Sequence, residues 1–200
     1  MDVSGANSGN GTNIQLYKGN GSNAQKFRFS SVSTSSSGTK ISLDVPLYKQ
    51  NDSRWGGTYI GTKTIGKVGC IITSLAMAYS YNTHSTVYPN TMKNRLKFSN
   101  NSIYWSSVTS SGFSYYNYGG KTINQSIMSN IYSKLKAGRP VVIWCKNSSG
   151  NAHAVTVTGY TGNNTSNFTA SDFRINDPAY SRTNLQQHLN YVNKVYYIMY

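Results

Sequence analysis

From residue 141 onward the chain is largely a succession of short strand-like segments. Residues 141–146, 153–160, 172–177 and 195–200 are rich in Val, Ile, Tyr and Phe, or alternate apolar with polar side chains. A Ser-Ser-Gly turn follows the first segment, and a Gly-Asn-Asn turn follows the second. Strand-like segments separated by tight turns predict successive antiparallel strands, so this region should form a sheet.

Helical spacing characterises the region before these strands. Apolar residues recur at helical spacing over residues 71–79, which predicts a helix that begins at or just before Cys70. Pro89 predicts the first turn of a short helix that continues to about Leu96. A third helix is predicted over residues 123–135, where Ile or Leu occupies every fourth position. Helices followed by a sheet predict an α+β fold.

The amino-acid composition of the chain changes near residue 40. Residues 31–40 are rich in Ser, Thr and Gly without apolar periodicity, which predicts a linker. Residues 1–30 predict two short strands, one around residues 13–17 and one around residues 25–29, joined by Gly/Asn turns. Residues 41–200 form the main domain, which is long enough to bury a core without disulfides or a metal.

The segment 1–30 resembles one repeat of a ricin-type β-trefoil lectin. The similarity lies in the turn at 10–12, the strand at 13–17, the turn at 20–23 and residues 25–27. Because a trefoil needs three repeats to close its barrel, the resemblance implies a fragment of a longer parent lectin that binds glycan, and not a working lectin alone. A local β-hairpin docked on the main domain is the alternative.

The composition excludes several kinds of chemistry. All 5 acidic residues are Asp, which excludes a paired-glutamate glycosidase, an HExxH zinc helix and a carboxylate cluster for calcium or two metals. Two cysteines cannot build a disulfide-rich scaffold or a Cys-rich zinc site. The longest apolar run, residues 140–145, is far too short to span a membrane. We therefore expect no metal, no cofactor and no membrane span.

The chain is strongly basic, with 19 Lys+Arg against 5 Asp+Glu and a net charge of +14. A nucleic-acid motif is not visible, so we favour attraction to anionic cell-wall polymers or acidic glycans over nucleic-acid binding. Few charges together with abundant Ser, Thr, Asn, Gly and Tyr are typical of secreted Gram-positive proteins. Residues 1–20 lack a hydrophobic signal core, so an export signal is expected to have been removed or to lie outside these residues.

Two residues, Cys70 and His153, suggest nucleophilic catalysis. Cys70 lies at a predicted helix start, where the helix dipole and free N–H groups favour a thiolate. Gly69 is expected to leave room for substrate backbone. His153 opens a predicted strand, which is a rigid mount for a general base, and the other two histidines, at 84 and 188, lack such a setting. A structural cysteine and a structural histidine are the alternative interpretations.

Two further side chains complete the candidate site. Asp177 ends the next predicted strand, where its carboxylate can accept the imidazole N–H of His153; Asn176 takes this place if the register differs. As a strand-end carboxylate, Asp177 is expected to be partly exposed and to contribute little to packing. The Gln50 side-chain amide and the Cys70 backbone N–H are candidates for an oxyanion hole.

Residues 44–200 resemble the bacteriocin-processing, double-glycine-peptidase-like cysteine peptidases of the papain-like clan. The matching segments are 45–57, 64–81, 137–145, 151–160 and 175–178. The resemblance implies a papain-like α+β fold and four roles: nucleophile Cys70, general base and acid His153, orienting residue Asp177, and oxyanion donor Gln50. It also implies a peptide or protein substrate and no cofactor. No transporter-like segment is present, so leader-peptide processing is not carried over.

Cys145 shares a strand face with Val141 and Ile143, which predicts a buried free thiol. A disulfide to Cys70 or a zinc site with Cys70 and His153 is the alternative.

Three other functions remain open: a peptidoglycan amidase or endopeptidase on the same fold, an inactive binding module that targets surface glycan, and a nucleic-acid binder.

Overall fold

A computed structural model describes residues 1–7, 9, 11–27 and 38–200. The chain divides into two compact units, Met1–Thr34 and Ser35–Tyr200. None of the described helices is long and apolar enough to cross a membrane.

The described part of the first unit contains one short antiparallel pair, β1 (Asp2–Val3) and β2 (Ile14–Gln15). The prediction of a strand around 13–17 is confirmed in part, but its partner is β1. The prediction of a strand at 25–29 is wrong at its start, because Asn23–Gln25 forms a 3-10 turn. The end of that predicted strand, residues 28–29, lies outside the described residues. The predicted linker also falls largely on residues that are not described, 31–37.

The described part of the second unit is a mixed helical and antiparallel structure. Its helices are α1 (Ile65–Val68), α2 (Cys70–Thr83), α3 (Pro89–Arg95), α4 (Trp105–Ser110), α5 (Gln125–Lys136) and α6 (Leu185–Leu189). Its strands are β3 (Ile41–Ser42), β4 (Tyr59–Ile60), β5 (Lys63–Thr64), β6 (Phe98–Ser99), β7 (Ser102–Ile103), β8 (Tyr115–Thr122), β9 (Val141–Lys146), β10 (Ala152–Tyr160), β11 (Phe173–Asn176) and β12 (Lys194–Met199). A 3-10 turn, Ala170–Asp172, precedes β11.

The main sheet has the order β11-β10-β9-β12-β8, and β3 pairs with the end of β10. All of its pairings are antiparallel. The four strands predicted from the sequence are β9 to β12, and their prediction is confirmed. The edge strand β8 was not predicted, because its Tyr-, Asn- and Gly-rich sequence lacks a buried face.

Helices cover both faces of this sheet. On one face α2 packs with α3 and α4 in a core that includes Leu75, Met77 and Val142. On the other face α5 and α6 pack in a core that includes Ile131 and Leu185. The central strands are therefore buried on both sides, which explains why the Thr side chains of β10 are as buried as its valines.

A single hydrogen bond fixes where α2 crosses β10. Thr156 Oγ1 donates to the Ser74 carbonyl at 3.0 Å, and both residues are fully buried. Ser74 lies about one helical turn after Cys70, and Thr156 lies three residues after His153. The contact therefore brings the start of α2 and the start of β10 to the same end of the sheet.

Candidate active site

Cys70 is the first residue of α2, as the sequence predicts. Its thiol is free and half-exposed. The expectation that Gly69 makes room for substrate is wrong: a Cβ at this position would lie 2.5 Å from the Ile65 carbonyl oxygen and 2.6 Å from Ile65 Cγ2. The glycine is needed because α1 turns tightly into α2, and this turn sets the position of the thiol.

His153 is the second residue of β10 and is almost fully buried. Its Nε2 donates to Asp177 Oδ1 at 2.8 Å, and Cys70 lies near enough to influence the pKa of His153. Burial lowers the pKa of His153, but the hydrogen bonds and charges of Asp177 and Cys70 outweigh it and raise the pKa to about 9. The site therefore favours the imidazolium.

Asp177 directly follows β11 and is 1% exposed, so the expectation of a partly exposed carboxylate is wrong. Besides His153, Oδ1 accepts the backbone N–H groups of Ala179 at 2.9 Å and Tyr180 at 3.0 Å. Arg182 lies 3.4 Å from Oδ2. Burial raises the pKa of Asp177, but the His153 interaction and these N–H groups lower it overall. The buried carboxylate therefore accepts hydrogen bonds from the following loop as well as from the imidazole.

Asn176, the alternative partner for His153, serves a different purpose. Its Nδ2 donates to the carbonyls of Val45 at 2.9 Å and Pro46 at 3.3 Å. It thereby fastens the segment before Gln50 to the end of β11. The geometry favours Asp177 as the partner of His153.

Gln50 is buried and lines the same cleft as Cys70 and His153. Its Nε2 donates to the Gly66 carbonyl at 3.0 Å, and its backbone N–H donates to the Pro178 carbonyl at 2.9 Å. An amide nitrogen has two hydrogens, so one N–H remains for a ligand. The Gly66 contact orients the amide and fixes which end is the donor.

Lys49 connects the Gln50 segment to the loop after Asp177. Its Nζ donates to the Asp177 carbonyl at 2.7 Å and to the Tyr180 carbonyl at 2.8 Å. The Trp55 indole N–H donates to the Lys49 carbonyl at 2.8 Å. Lys49 thus joins two separate stretches of chain beside the cleft, the segment that carries Gln50 and the loop after Asp177.

The sequence prediction missed His188, which lies beside His153 at a ring-centroid distance of 5.6 Å. It is fully buried, and neither ring nitrogen has a hydrogen-bond partner among the described residues. Burial, with the charge of His153, lowers its pKa to about 3. A signal was available: Leu185, His188 and Leu189 follow the i, i+3, i+4 spacing of a buried helix face.

Two tyrosines and an arginine cover His153 from the other side. Tyr180 meets the His153 ring edge-on at 5.3 Å, and Tyr191 lies 5.8 Å from Tyr180. The Arg182 guanidinium lies 4.0 Å from the Tyr180 ring centre and 4.8 Å from that of Tyr191. The imidazole therefore packs beside a cluster of aromatic rings.

A cleft of about 530 Å³ opens beside these residues. Cys70, His153 and Gln50 all line it, while Asp177 lies behind His153. Part of its wall is aromatic and includes Trp105 and Trp144, at a ring-centroid distance of 5.6 Å. The structure therefore brings three of the candidate residues together at one concave surface, and the fourth, Asp177, contacts His153 from within the protein.

Cys145 is a buried free thiol, as predicted, and packs in the same core as Val141 and Ile143. Burial raises its pKa far above the ordinary value. In the portion of the chain that the structure describes, no group of three or more His, Cys, Asp or Glu is arranged to hold a metal ion.

Comparison with known proteins gives one result. The model of the Peptidase_C39 like family matches residues 42–200, which include every residue of the candidate site. No curated protein and no solved structure matches the chain. The mixed architecture of helices and antiparallel sheet is that of an α+β papain-like peptidase. The chain therefore belongs to the Peptidase_C39 like family, and this membership supports a cysteine peptidase.

Proposed function

We propose that the protein hydrolyses peptide bonds, with Cys70 as nucleophile, His153 as general base and acid, Asp177 as the residue that orients His153, and Gln50 as an oxyanion donor. The observation that carries the proposal is the buried 2.8 Å contact between His153 and Asp177, beside a free thiol at a helix start. A histidine whose Nε2–H is held by a carboxylate presents its other nitrogen in a fixed tautomer.

In the first half of the reaction the Cys70 thiol gives its proton to His153 Nδ1, and the thiolate attacks the carbonyl carbon of the substrate. The carbonyl oxygen becomes an oxyanion, which the Gln50 amide and the Cys70 backbone N–H stabilise. The C–N bond then breaks, and His153 gives its proton to the leaving amine. The product of this half is a thioester on Cys70.

In the second half water attacks the thioester while His153 takes one of its protons. The tetrahedral intermediate collapses, the C–S bond breaks, and a carboxylic acid leaves. The thiolate and imidazolium are restored, so the cycle needs no external oxidant or reductant. The raised pKa of His153 suits this mechanism, because an imidazolium must persist at neutral pH to protonate the amine.

The test is hydrolysis of a mixed peptide library by the wild type, Cys70→Ala and Cys145→Ala. Cys145 is the matched control, because it is the other free thiol and lies in the core. We expect cleavage by the wild type and Cys145→Ala and none by Cys70→Ala. Cleavage that survives in Cys70→Ala would overturn the proposal.

A peptidoglycan amidase or endopeptidase would use the same residues, and the aromatic wall of the cleft favours it as the second candidate, since aromatic faces also pack against sugar rings. Digestion of purified cell walls by the wild type and Cys70→Ala separates it from a protein peptidase. Muropeptide release without peptide-library cleavage would select it. An inactive binding module would release nothing, and its Cys70 would react with a peptide chloromethyl ketone no faster than an ordinary thiol.

We also propose that the protein acts at a cell wall outside the cell, and that the first unit, as a single trefoil-like repeat, does not bind glycan by itself. Its resemblance to one trefoil repeat supports this, as does the exposure of Ile14, Leu16 and Tyr17, side chains that neighbouring repeats would cover. We expect no saturable sugar binding by residues 1–35 alone. Sugar-specific binding by these 200 residues that is lost on deletion of residues 1–35 would contradict the fragment assignment.

A further inference from the structure

The walls of the cleft carry an unbalanced charge. Two lysines, Lys67 and Lys146, line the cleft, whereas no acidic residue lines it. The catalytic-site carboxylate, Asp177, is 1% exposed and already engaged by His153 and Arg182. Within the described ranges neither lysine takes part in an ion pair. A substrate that enters this cleft therefore meets a positive field with no counter-charge from the protein.

Lys146 is the better placed of the two. It ends β9 and pairs directly with Ala152, the residue before His153, across the β9–β10 ladder. Its Nζ lies 4.8 Å from the Trp144 ring centre and 5.1 Å from that of Tyr196. Both ring contacts hold the ammonium in place by cation–π attraction. Lys67 is exposed on the short helix α1, where no contact of this kind holds it.

The surface beside Lys146 is apolar and rigid. Trp105 stacks on Tyr197 at a centroid distance of 3.7 Å and meets Trp144 at 5.6 Å. The Trp144 and Tyr196 rings lie against the Lys146 ammonium, and Lys146 is half-buried, which strengthens its attraction for an anion relative to a fully solvated lysine. An ammonium without a carboxylate partner, beside a wall of packed rings, is suited to a ligand that carries both an anionic and an apolar group.

We propose that the cleft selects substrates with a carboxylate close to the scissile bond, and that Lys146 is the specificity-determining residue that binds it. This inference rests on the proposed function and names the substrate class of the same site. The carboxylate belongs either to an acidic side chain or to the chain terminus of the substrate. Both sources present the same anion to Lys146, and the experiment separates them.

The probes are octapeptide libraries in which one position at a time is Glu or its neutral isostere Gln, with amidated C-termini. A further arm compares free-acid with amidated C-termini. Cleavage is measured by mass spectrometry as kcat/KM for the wild type, Lys146→Met and Lys194→Met. Lys194 is the matched control: it pairs with Lys146 across β12 and β9, donates to Thr122 at 2.8 Å, and does not line the cleft. Both variants lose one positive charge and keep a long apolar stem.

We expect the wild type to prefer Glu over Gln, or the free acid over the amide, roughly tenfold at one position, as for a hydrogen bond to a charged group. Lys146→Met should lose that preference while it still cleaves the neutral peptides, and Lys194→Met should keep it. Equal rates for both members of every pair in the wild type would overturn the proposal. A preference that survives in Lys146→Met would overturn it as well.

A binding measurement distinguishes failure of this inference from failure of the peptidase proposal. Immobilised Cys70→Ala protein is incubated with the same libraries, and the retained peptides are identified by mass spectrometry. Enrichment of the carboxylate-bearing peptides, lost in Cys70→Ala/Lys146→Met, supports the inference even if the wild type cleaves nothing. Equal retention of Glu and Gln peptides contradicts it even if the wild type is an active peptidase.

Discussion

His153 Nε2 lies 2.8 Å from Asp177 Oδ1, and both side chains are buried at the end of the antiparallel pair β10–β11. Asp177 also accepts two backbone N–H groups from the loop that follows it. One carboxylate thus orients the imidazole and shapes the loop that covers it. In the proposed mechanism, catalysis and local stability are therefore coupled at this residue.

Replacing Asp177 should affect stability as well as turnover. Asp177→Ala leaves His153 and Arg182 without their buried partner, and we expect a loss of about 3–5 kcal/mol in the free energy of unfolding. Asp177→Asn keeps an acceptor oxygen for the imidazole N–H. It should therefore lower both the free energy of unfolding and the turnover less than Asp177→Ala does. Urea denaturation and single-turnover acylation of Cys70 measure the two effects. Equal acylation rates in the wild type and both variants would remove Asp177 from the site.

The pH dependence of acylation should report His153. Its pKa of about 9 predicts an alkaline limb near that pH, because above it His153 loses the proton that the leaving amine requires. Asp177→Asn weakens the interaction that favours the imidazolium, so the limb should move to lower pH. Single-turnover rates between pH 6 and pH 10 test this. An alkaline limb that does not move in Asp177→Asn would show that another group controls it.

Gln50→Ala should separate oxyanion stabilisation from thiol reactivity. Loss of one oxyanion donor lowers kcat by roughly 10²–10³-fold in enzymes of this kind. Alkylation of Cys70 by iodoacetamide forms no oxyanion, so its rate should stay close to the wild-type value. Parallel loss of both rates would mean that Gln50 supports the fold of the site, through its bond to Gly66, and not the transition state.

His188 should make the protein sensitive to acid. Its folded-state pKa, about 3, lies below the ordinary 6.5, so the unfolded chain binds a proton that the folded chain does not. The free energy of unfolding therefore falls as pH drops below about 6.5. At pH 5 this amounts to about 2 kcal/mol. His153 acts in the opposite sense, since its raised pKa adds stability below pH 6.5 that is lost as the pH rises through about 9.

A comparison of the wild type with His188→Leu isolates the His188 contribution from that of His153. Urea denaturation at pH 7.5 and pH 5.0 should show that the variant lacks the acid-dependent loss. The contribution of Asp177 does not interfere, because its lowered pKa lies below an ordinary value of 3.8. The same change in unfolding free energy in both proteins would contradict the assignment.

Local patterns were enough to predict the start of α2 at Cys70 and the strand that carries His153, because helical spacing and alternation are properties of neighbouring residues. The edge strand β8 could not be predicted, since none of its residues is fully buried and its Tyr-, Asn- and Gly-rich sequence shows no apolar alternation. Burial of Asp177 depends on Arg182 and the loop that folds over it, which is a long-range arrangement. The role of Gly69 was misread for a similar reason: its neighbour is Ile65 on α1, not a ligand.

The most direct measurement is the site of covalent modification during turnover. The wild type is mixed with a peptide ester, quenched in acid within one turnover, digested and analysed by mass spectrometry. The account predicts an acyl group on the fragment that contains Cys70, none on the fragment that contains Cys145, and slow acylation in His153→Ala. Turnover with no adduct on Cys70, or an adduct on Cys145 alone, would contradict it.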